Sequence, residues 1–600
     1  MAARSKSLPD TGAPLSGAAH SGRAAADSQP GDQALSVAQA YLLLLKSRGV
    51  DYFYVGAGTD TAPLVEAYAR AGGQAGQYPR PVLATHENLA MGMAHGYYLV
   101  SGRPQAVMLH VSVGTANAIC GAMNAARGQA PMLFSAGRTP LFESGRLGAR
   151  DSEIHWGQEL YDQAAMVREL VKWEYELRDG LNLQEVVDRA LTLAMAEPRG
   201  PVYLTLPREV LAAPAPGFAL HAPPAVPAPP WPDGRAVDRL ARALAQASEP
   251  VIVCTASGAD PATVAPLAAL CERYGIGIGE ARPRYVNAPS SHSLHVGYDR
   301  AEIFGWADAL LFLESDVPWI PGKACPADTA FVAHAGTDPV FARYPIRGHR
   351  SDLTITATAA SLIGALDAAL QACGALEGAA ARRARLQARA DAARRAQSER
   401  LESDRRRDGP ITKAFLSACL DAVRPRDAIV VNEYSALREA FTFDQPGSYF
   451  MHPDASGLGW GYPAALGAQQ AAPERPVIAV MGDGAYLFAN PAVCHHASAM
   501  HELPVVAVVF NNGGWEAVHK STVGIYPGAH AQAYAREQNH GMAPLCSLAP
   551  VPDFERYAEA SGGVGLRVSR RAELADTLRR ALEIARGERR QVLVNVIGQG

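Results

Sequence analysis

The stretch that decides the fold of this 600-residue chain is VIAVMGDG at residues 477–484. Five apolar residues in a row are typical of a strand that is buried on both faces of a parallel sheet. Gly-Asp-Gly follows at the end of this strand, where open α/β sheets bind their ligands. Glycine lets the backbone approach a phosphate closely, and Asp483 supplies a hard oxygen ligand. The stretch therefore predicts a parallel α/β sheet with a phosphate and metal site at its carboxyl edge.

A second apolar strand, residues 505–510, ends in Asn511-Asn512-Gly513-Gly514. Either motif alone also fits an ordinary turn. Together, at the ends of two strands, they bring the Asp483 carboxylate, the Asn512 amide oxygen and the Gly514 carbonyl to one place. Three such oxygens, with phosphate oxygens and a water, would complete the octahedron that Mg²⁺ prefers.

This pair of motifs resembles that of the thiamine-diphosphate (ThDP) enzymes, which carry Gly-Asp-Gly, a spacer of similar length and then Asn-Asn. The resemblance implies that Asp483, Asn512 and the Gly514 carbonyl hold Mg²⁺ on the cofactor's diphosphate. It also implies that Gly482 and Gly484 lie beside the cofactor.

Two further segments of the C-terminal part match the same family. In Asn-Glu-Tyr-Ser at residues 432–435, the resemblance implies that Ser435 contacts the diphosphate. In Ser-Gly-Leu-Gly at residues 456–459, it implies that Leu458 wedges under ThDP and bends it into a V shape. From packing alone, Leu458 would be an ordinary core residue.

The segment LATHENLAMGMAHGY at residues 83–97 resembles the strand–Glu–helix element of ThDP enzymes. The resemblance implies that Glu87 hydrogen-bonds the cofactor's pyrimidine ring and promotes removal of the reactive proton. The apolar surroundings of Glu87 suit a carboxyl group that shares a proton. Alternatively, Glu87 stands in the first turn of a helix only because the helix dipole favours a carboxylate there.

The stretch LHVSVGTANA at residues 109–118 indicates the branch of the family. It resembles benzoylformate decarboxylase more than acetolactate synthases, which usually carry Gly-Pro-Gly ahead of the Asn. The resemblance implies that His110 faces the substrate as a general acid–base and that Thr59 contacts the substrate carboxylate. His292 matches a second active-site histidine. A structural or exposed histidine is the alternative at both positions.

The chain departs from benzoylformate decarboxylase after Asn512, where it carries Glu516 and His519. Glu516 is a candidate catalytic residue, and the alternative is a polar face of a helix. The segment from Ser521 to Pro552 is longer than in that enzyme. A long loop after a site is often a lid.

Strand and helix patterns alternate along the chain, which predicts three α/β domains with mainly parallel sheets. Eight prolines between Pro214 and Pro232 indicate a stiff, extended linker. The predicted segments are a disordered tail (1–33), an N-terminal pyrimidine-binding domain (34–210), a Pro-rich linker (211–232), a central domain (233–373), an Arg-rich linker helix (374–410) and a C-terminal diphosphate-binding domain (411–600).

Composition excludes several classes of protein. The net charge of -4 gives no whole-chain electrostatic case for binding nucleic acid, and no apolar run is long enough to span a bilayer. The segment from Arg382 to Arg407 contains ten arginines and four acidic residues, but no aromatic residue lies among them to stack on bases. We expect a cytoplasmic protein whose Arg-rich segment is a solvated helix that joins two domains.

Three functions fit these observations. The first is a ThDP- and Mg²⁺-dependent decarboxylase or carboligase that acts on a 2-oxo acid. The second is a C–C lyase such as a 2-hydroxyacyl-CoA lyase, for which Arg343, Arg347 and Arg350 could bind the CoA tail. The third is a non-catalytic subunit, which the presence of Glu87 and Asp483 disfavours.

The family resemblance also implies an assembly, because the two halves of the site come from different subunits. We therefore expect an obligate homodimer, usually paired into a homotetramer, with a small 2-oxo acid or acyl substrate. FAD in the central domain is left open, because the loops there carry no clear dinucleotide motif. An absorbance spectrum of the purified protein would detect the flavin.

Overall fold

A computed structural model describes residues 35–72, 76–537 and 541–599. The predicted tail at residues 1–33 lies outside these ranges. The described residues form three α/β units, and each has one six-stranded sheet in which all paired strands are parallel. The predicted fold class is confirmed.

The first unit carries the N-terminal half of the predicted site. Its strands are β1 (Tyr52–Gly56), β2 (Arg80–Ala84), β3 (Gln105–Leu109), β4 (Met132–Arg138), β5 (Glu174–Glu176) and β6 (Val202–Pro207). Its helices are α1 (Val37–Ser47), α2 (Ala62–Arg70), α3 (Glu87–Ser101), α4 (Val111–Asn117), α5 (Ile119–Arg127), α6 (Ile154–Gly157), α7 (Leu183–Met195) and α8 (Arg208–Ala212).

The central unit follows the Pro-rich segment. Its strands are β7 (Pro250–Cys254), β8 (Gly277–Glu280), β9 (His295–Gly297), β10 (Ala309–Leu313), β11 (Phe331–Gly336) and β12 (Leu353–Thr356). Its helices are α9 (Gly234–Gln246), α10 (Val264–Tyr274), α11 (Arg300–Trp306) and α12 (Ala359–Ala372), and the long helix α13 (Ala379–Arg406) comes next.

The third unit carries the C-terminal half of the predicted site. Its strands are β13 (Ile429–Glu433), β14 (Tyr449–Met451), β15 (Val477–Gly482), β16 (Val506–Asn511), β17 (Val564–Val568) and β18 (Val592–Ile597). Its helices are α14 (Lys413–Val423), α15 (Gly461–Ala471), α16 (Asp483–Phe488), α17 (Pro491–Met500), α18 (Glu516–Ile525), α19 (His530–Glu537), α20 (Glu555–Ala560) and α21 (Arg571–Gly587).

The first and third sheets have the same topology. Their strand orders are β2-β1-β3-β4-β6-β5 and β14-β13-β15-β16-β18-β17, which match strand for strand. In both sheets the first strand of the unit lies between the second and the third. This is the point where the chain changes direction across the sheet and where parallel sheets bind ligands.

Strand ends decide which side chains reach this edge. The sequence pattern predicts a strand through Val111, but β3 ends at Leu109 and α4 begins at Val111, whose φ is 32°. His110 therefore stands at the carboxyl end of β3 rather than inside the sheet. The apolar character of Val111 concealed this boundary.

The Arg-rich segment differs from the predicted solvated helix. The Arg382 side chain of α13 is buried and donates to the backbone carbonyls of Tyr274 and Ala245, and Leu386 and Ala390 are buried as well. Helix α13 is thus packed along the central unit and only its other face is solvated. No helix in the described ranges is both long and apolar enough to cross a membrane.

The first and third units contact each other through helices α3 and α15. A Cβ on Gly96 would overlap the backbone of Ala464, and one on Gly467 would overlap the backbone of Met93. Glycine at these positions lets the two helix backbones approach closely. This contact fixes the position of Glu87, at the start of α3, relative to the third unit.

We expect Gly467→Ala to lower the free energy of unfolding by about 1–3 kcal/mol, because the added methyl group overpacks this contact. Urea denaturation of the purified protein would measure the loss. Gly364→Ala is the matched control, because a Cβ there meets open space in α12. That control is expected to be neutral or stabilising by up to about 1 kcal/mol. Equal effects of the two variants would contradict the tight contact.

Candidate active site

The motifs at the ends of β15 and β16 meet at the Asp483 carboxylate. Its Oδ2 accepts hydrogen bonds from the backbone N–H groups of Gly513 and Gly514 at 2.7 and 3.2 Å, and its Oδ1 accepts one from Gly484 at 2.8 Å. Asp483 is buried. The two motifs that the sequence analysis paired are therefore joined directly.

This carboxylate suits a cation. Burial raises the pKa of Asp483, and the backbone hydrogen bonds oppose that shift. Within the described residues, no lysine or arginine forms an ion pair with Asp483. A buried carboxylate without a cationic partner is costly, and a divalent ion would offset that cost. The predicted ligands, Asp483 and the Asn512 and Gly514 oxygens, are the oxygen types that Mg²⁺ takes.

Glu516 orients the neighbouring amide. Its carboxylate accepts a hydrogen bond from Asn512 Nδ2 at 3.4 Å, and the Asn512 Oδ1 accepts one from the Gly514 N–H at 3.2 Å. Glu516 also pairs with Lys413 at 2.6 Å and with Lys520. Burial would raise the pKa of Glu516, but hydrogen bonds from both lysines hold it below its ordinary value. The structure thus places Glu516 behind the predicted metal ligands, and its contact with substrate stays a prediction.

The two glycines of the Gly-Asp-Gly motif differ in the space around them. A Cβ on Gly484 would overlap the Trp515 ring, whereas one on Gly482 would make an ordinary contact, 3.4 Å from Ser435 Oγ. Ser435, which follows β13, is buried and lies near Gly482. The backbone is therefore tightly enclosed at Gly484, and the contact of Ser435 with the diphosphate stays a prediction.

Glu433 has a role that the sequence did not indicate. Its buried carboxylate accepts hydrogen bonds from the N–H groups of Gly459 and Gly461 at 2.8 and 2.7 Å. Burial raises the pKa of this carboxyl. Glu433 holds the loop that contains Leu458, whose side chain is half-buried against the core.

The N-terminal half of the site lies at the carboxyl ends of β1, β2 and β3. Glu87 begins α3, with its side chain about one-fifth exposed, and accepts a hydrogen bond from Asn117 Nδ2 at 3.2 Å. Asn117 stands at the end of α4, directly after β3. Glu87 is thus held by a neutral partner and remains accessible from one side.

His110 forms a close pair with Asp60. His110 Nδ1 donates to Asp60 Oδ1 at 2.6 Å, and Asp60 Oδ2 accepts from the Val111 N–H at 3.2 Å. The hydrogen bond to Asp60 raises the pKa of His110. Asp60 is buried, while Thr59 beside it is exposed. The pair presents the Nε2 atom of His110 away from Asp60.

Gln158 completes this cluster. Its Nε2 lies 3.3 Å from His110 Nε2, and its Oε1 is buried without a hydrogen-bond partner among the described residues. Rotation of the amide would let Oε1 accept from a protonated His110 and Nε2 donate to a neutral one. Gln158 can therefore pair with both protonation states of His110.

Asp60, Asn117 and Gln158 were not among the predicted site residues. A histidine proposed to move protons usually needs a partner that fixes its tautomer, and Asp60 directly follows the quoted Thr59. The sequence thus offered Asp60 as a candidate, and only the structure shows that it reaches His110. Gln158 lies 48 residues from His110, and no local pattern connects the two.

His292 and His519, the other histidines that the sequence analysis considered, make contacts outside the His110 cluster. His292 is in the central unit, where Glu272 Oε2 lies 3.8 Å from its Nε2 and Arg394 donates to its carbonyl at 3.1 Å. It makes no hydrogen bond with Glu87 or His110 in the described part of the chain. His519 accepts the Ala543 N–H at 3.1 Å through Nδ1. Whether His292 contacts substrate stays a prediction.

The segment after the third-unit site is not a single long loop. Helices α18 and α19 occupy much of residues 516–537, and residues 538–540 lie outside the described ranges. The predicted loop from Ser521 to Pro552 is corrected accordingly. The periodicity of these two short, mostly exposed helices is weak, so the sequence pattern did not separate them from a loop.

No direct hydrogen bond or ion pair joins the N-terminal site residues to the predicted metal ligands in the described part of the chain. In the described residues, neither Glu87 nor His110 forms a hydrogen bond or ion pair with Asp483, Asn512 or Glu516. Likewise, no group of three or more His, Cys, Asp or Glu side chains that could hold a metal ion occurs in the described ranges. The predicted Mg²⁺ ligands are instead mixed carboxylate, amide and backbone oxygens, and this site stays a prediction.

Family models match both halves. The N-terminal TPP (thiamine pyrophosphate, or thiamine diphosphate) binding domain of thiamine pyrophosphate enzymes matches residues 35–166, and the C-terminal TPP binding domain matches residues 433–596. The first range contains Glu87 and His110, and the second contains Asp483 and Asn512.

Known proteins resemble the chain over most of its length. Benzoylformate decarboxylase from Pseudomonas aeruginosa is 28% identical over 539 residues, covering 84% of this chain and 89% of that protein. The large subunit of acetolactate synthase isozyme 3 from Escherichia coli is 25% identical over 547 residues, covering 86% and 88%. The structure of a ThDP-dependent 4-hydroxybenzoylformate decarboxylase from Rhodococcus jostii superposes with a TM-score of 0.70 at 23% identity, covering 94% and 99%, which shows a shared fold.

Proposed function

Because this chain belongs to the ThDP-dependent enzymes, in the family of decarboxylases and carboligases, we propose that it uses ThDP and Mg²⁺ to decarboxylate a 2-oxo acid. When bound, ThDP supplies a nucleophilic carbon and accepts the electrons that CO₂ leaves behind. The product is either an aldehyde or a ligation product with a second carbonyl compound.

The observation that carries this proposal is the Asp60–His110 pair in the same half-site as Glu87. A His110 imidazolium, stabilised by Asp60 at 2.6 Å, is suited to face a substrate carboxylate and to give a proton to the product. Thr59, exposed beside Asp60, has a hydroxyl group that can hold the substrate carboxylate. Glu87 would hydrogen-bond the pyrimidine ring.

The third unit would hold the cofactor's other end. Asp483, Asn512 and the Gly514 carbonyl would bind Mg²⁺, and Ser435 would donate to the diphosphate. Leu458 would support the cofactor from below. This assignment rests on the family resemblance together with the enclosed backbone at Gly484.

The lyase alternative is weakened by the arginines proposed for a CoA tail. Arg343 donates to the Val171 carbonyl, Arg347 to the Asp316 carbonyl and Arg350 to the Asp328 carbonyl, at 2.7 to 3.0 Å. All three guanidinium groups are engaged in holding backbone. A 2-oxo acid, which needs no such tail site, fits the described residues better.

A panel of 2-oxo acids, including benzoylformate and pyruvate, tests the proposal by measured CO₂ release in the presence of ThDP and Mg²⁺. We expect turnover of at least one member. If calorimetry confirms bound ThDP but no member of a broad panel releases CO₂, decarboxylation is wrong. Saturable CoA binding in that case would favour the lyase.

A homodimer is the proposed assembly, because the family resemblance implies that different subunits supply the two halves of the site. Light scattering coupled to size-exclusion chromatography would measure the mass. A monomer that remains fully active would contradict this proposal.

The pH dependence of kcat/KM is expected to reflect His110. If the protonated imidazole is the active form, activity falls as the pH rises through the pKa of His110. Since Asp60 raises that pKa, Asp60→Asn should move the falling limb to lower pH. His110→Gln should lower kcat/KM by about 100-fold or more and abolish this limb. A limb that stays in place in Asp60→Asn would exclude His110 as its origin.

A further inference from the structure

The loop at residues 456–461, which carries Leu458, is held by two asparagines of the first unit. Asn124 Nδ2 donates to the Gly457 carbonyl at 2.8 Å, and the Gly457 N–H donates back to Asn124 Oδ1 at 3.1 Å. Asn88 Nδ2 donates to the Gly459 carbonyl at 3.2 Å. These bonds join residues more than 330 positions apart in the chain.

The Asn124 side chain is buried at this contact. Only 1% of its surface is exposed, and its amide pairs with both polar backbone groups of one residue. A Cβ on Gly457 would lie 3.1 Å from Asn124 Nδ2, Asn124 Oδ1 and the Cys120 carbonyl, so the loop cannot move toward α5. Removal of the buried Asn124 side chain would leave both polar backbone groups of the half-buried Gly457 without this partner, which costs more than the loss of a surface bond.

The remaining contacts leave the loop little freedom. Gly459 has a φ of 86°, which few other residues adopt, and a Cβ there would overlap the Phe488 carbonyl. Glu433 holds the N–H groups on either side of Trp460, whose indole donates to His95 Nδ1 of α3 at 3.2 Å. Leu458 thus lies between two backbone positions that are fixed from both units.

The same elements of the first unit also hold Glu87. Asn88 is its immediate neighbour at the start of α3, and Asn117, which donates to Glu87, precedes α5 by two residues. A shift of α3 or α5 would therefore displace the Leu458 loop and the Glu87 carboxylate together.

We propose that Asn124 and Asn88 are positioning residues, which fix the Leu458 loop from the first unit and thereby set the conformation in which ThDP is bound. This inference rests on the proposed function, because it assigns Leu458 to the cofactor. It adds that the support for Leu458 comes from the N-terminal part of the same chain.

The test compares Asn124→Ala and Asn88→Ala with a matched control, Tyr54→Phe. Tyr54 is also buried and also donates a hydrogen bond from the first unit to the third, to Gln470 Oε1 at 2.7 Å, but Gln470 lies outside the loop. Three quantities are measured on each purified protein: the melting temperature, the Kd for ThDP with Mg²⁺ by calorimetry, and the hydrogen exchange rate at the reactive carbon of bound ThDP by acid quench and NMR.

All three variants are expected to melt at lower temperature than the unmodified protein. Only the asparagine variants should bind ThDP about tenfold more weakly, which corresponds to the loss of roughly one buried hydrogen bond. They should also slow the exchange rate about tenfold at saturating ThDP. Asn88 is only partly buried, so Asn88→Ala should fold and can test the inference even if Asn124→Ala does not fold.

The result that overturns the inference is a lower melting temperature in both asparagine variants with an unchanged Kd and exchange rate, as in Tyr54→Phe. Failure of the proposed decarboxylation is a different result, because ThDP binding and exchange require no substrate. An unmodified protein that binds ThDP without decarboxylating any 2-oxo acid would still distinguish the asparagines from Tyr54.

Discussion

Glu87→Gln is expected to lower turnover by about 10²- to 10⁴-fold while ThDP remains bound, because glutamine keeps the hydrogen-bonding shape but cannot share a proton. The structure supports this through the position of Glu87 at the start of α3, where the neutral Asn117 amide donates to its carboxylate at 3.2 Å. Initial rates at saturating ThDP, together with calorimetric ThDP binding, would measure both parts of the prediction.

A surface exchange of the same kind serves as the control. Glu66 on α2 is exposed and pairs with Arg70 one turn away, at 2.7 Å. Glu66→Gln should leave turnover unchanged, because exposed pairs of this type contribute little. If Glu87→Gln is as active as Glu66→Gln, the assignment of Glu87 to the pyrimidine ring is wrong.

Asp483→Asn is expected to weaken Mg²⁺-dependent ThDP binding by about 100-fold or more, which corresponds to roughly 3 kcal/mol. Asparagine can still accept from the Gly513 and Gly514 N–H groups, but it lacks the charge that a divalent ion needs. Calorimetric titration with ThDP at fixed Mg²⁺ would measure the loss. An unchanged Kd would remove Asp483 from the metal site.

The same variant should change the stability of the metal-free protein little. Burial raises the pKa of Asp483, so its charged form is disfavoured in the folded chain, and asparagine removes that charge. The Nδ2 of asparagine would replace the oxygen that accepts from the Gly484 N–H, and the loss of this bond opposes the gain. We expect the free energy of unfolding of metal-free Asp483→Asn to lie within about 1 kcal/mol of that of the unmodified protein. Asp576→Asn, at an exposed position of α21, is the control that should change neither binding nor stability.

The two inactive variants together test the proposed assembly. If one subunit supplies Glu87 and the other supplies Asp483, mixed dimers of Glu87→Gln and Asp483→Asn contain one intact site. Unfolding and refolding the mixture should recover activity that neither variant shows alone. No recovery, in a mixture proven by mass spectrometry to contain mixed dimers, would contradict a shared site.

Local sequence patterns were sufficient for the sheets and for one half of the site. Buried parallel strands are short apolar runs, so β15 and β16 were predicted to within one residue, and the turn after β15 could be recognised from its glycines. Edge strands were missed, because segments such as β5 and β14 have three residues each and too few for a pattern. Helices α18 and α19 were also missed, because a short, mostly exposed helix has a weak apolar pattern.

Contacts between distant segments could not be predicted in this way. The Asp60–His110 bond spans 50 residues, and the Asn124–Gly457 bond spans 333. The local sequence around Asp60 or Asn124 does not differ from the sequence around an aspartate or asparagine that only caps a turn. Arg343 and Arg382 were both interpreted as surface or binding charges. Both side chains instead donate to backbone carbonyls of residues that are distant in the sequence and come near only when the units pack.

The sequence by itself determined that the chain has three α/β units and that Asp483, Asn512 and Glu87 stand at strand ends, because hydrophobic runs and the glycines that follow them act over a few residues. Only the tertiary structure decided how these residues are held. Asp60 reaches His110, Glu433 and Asn124 fix the Leu458 loop, and Glu516 orients Asn512. Which side chains become partners depends on the distances between packed backbones, and a local sequence pattern does not contain these distances.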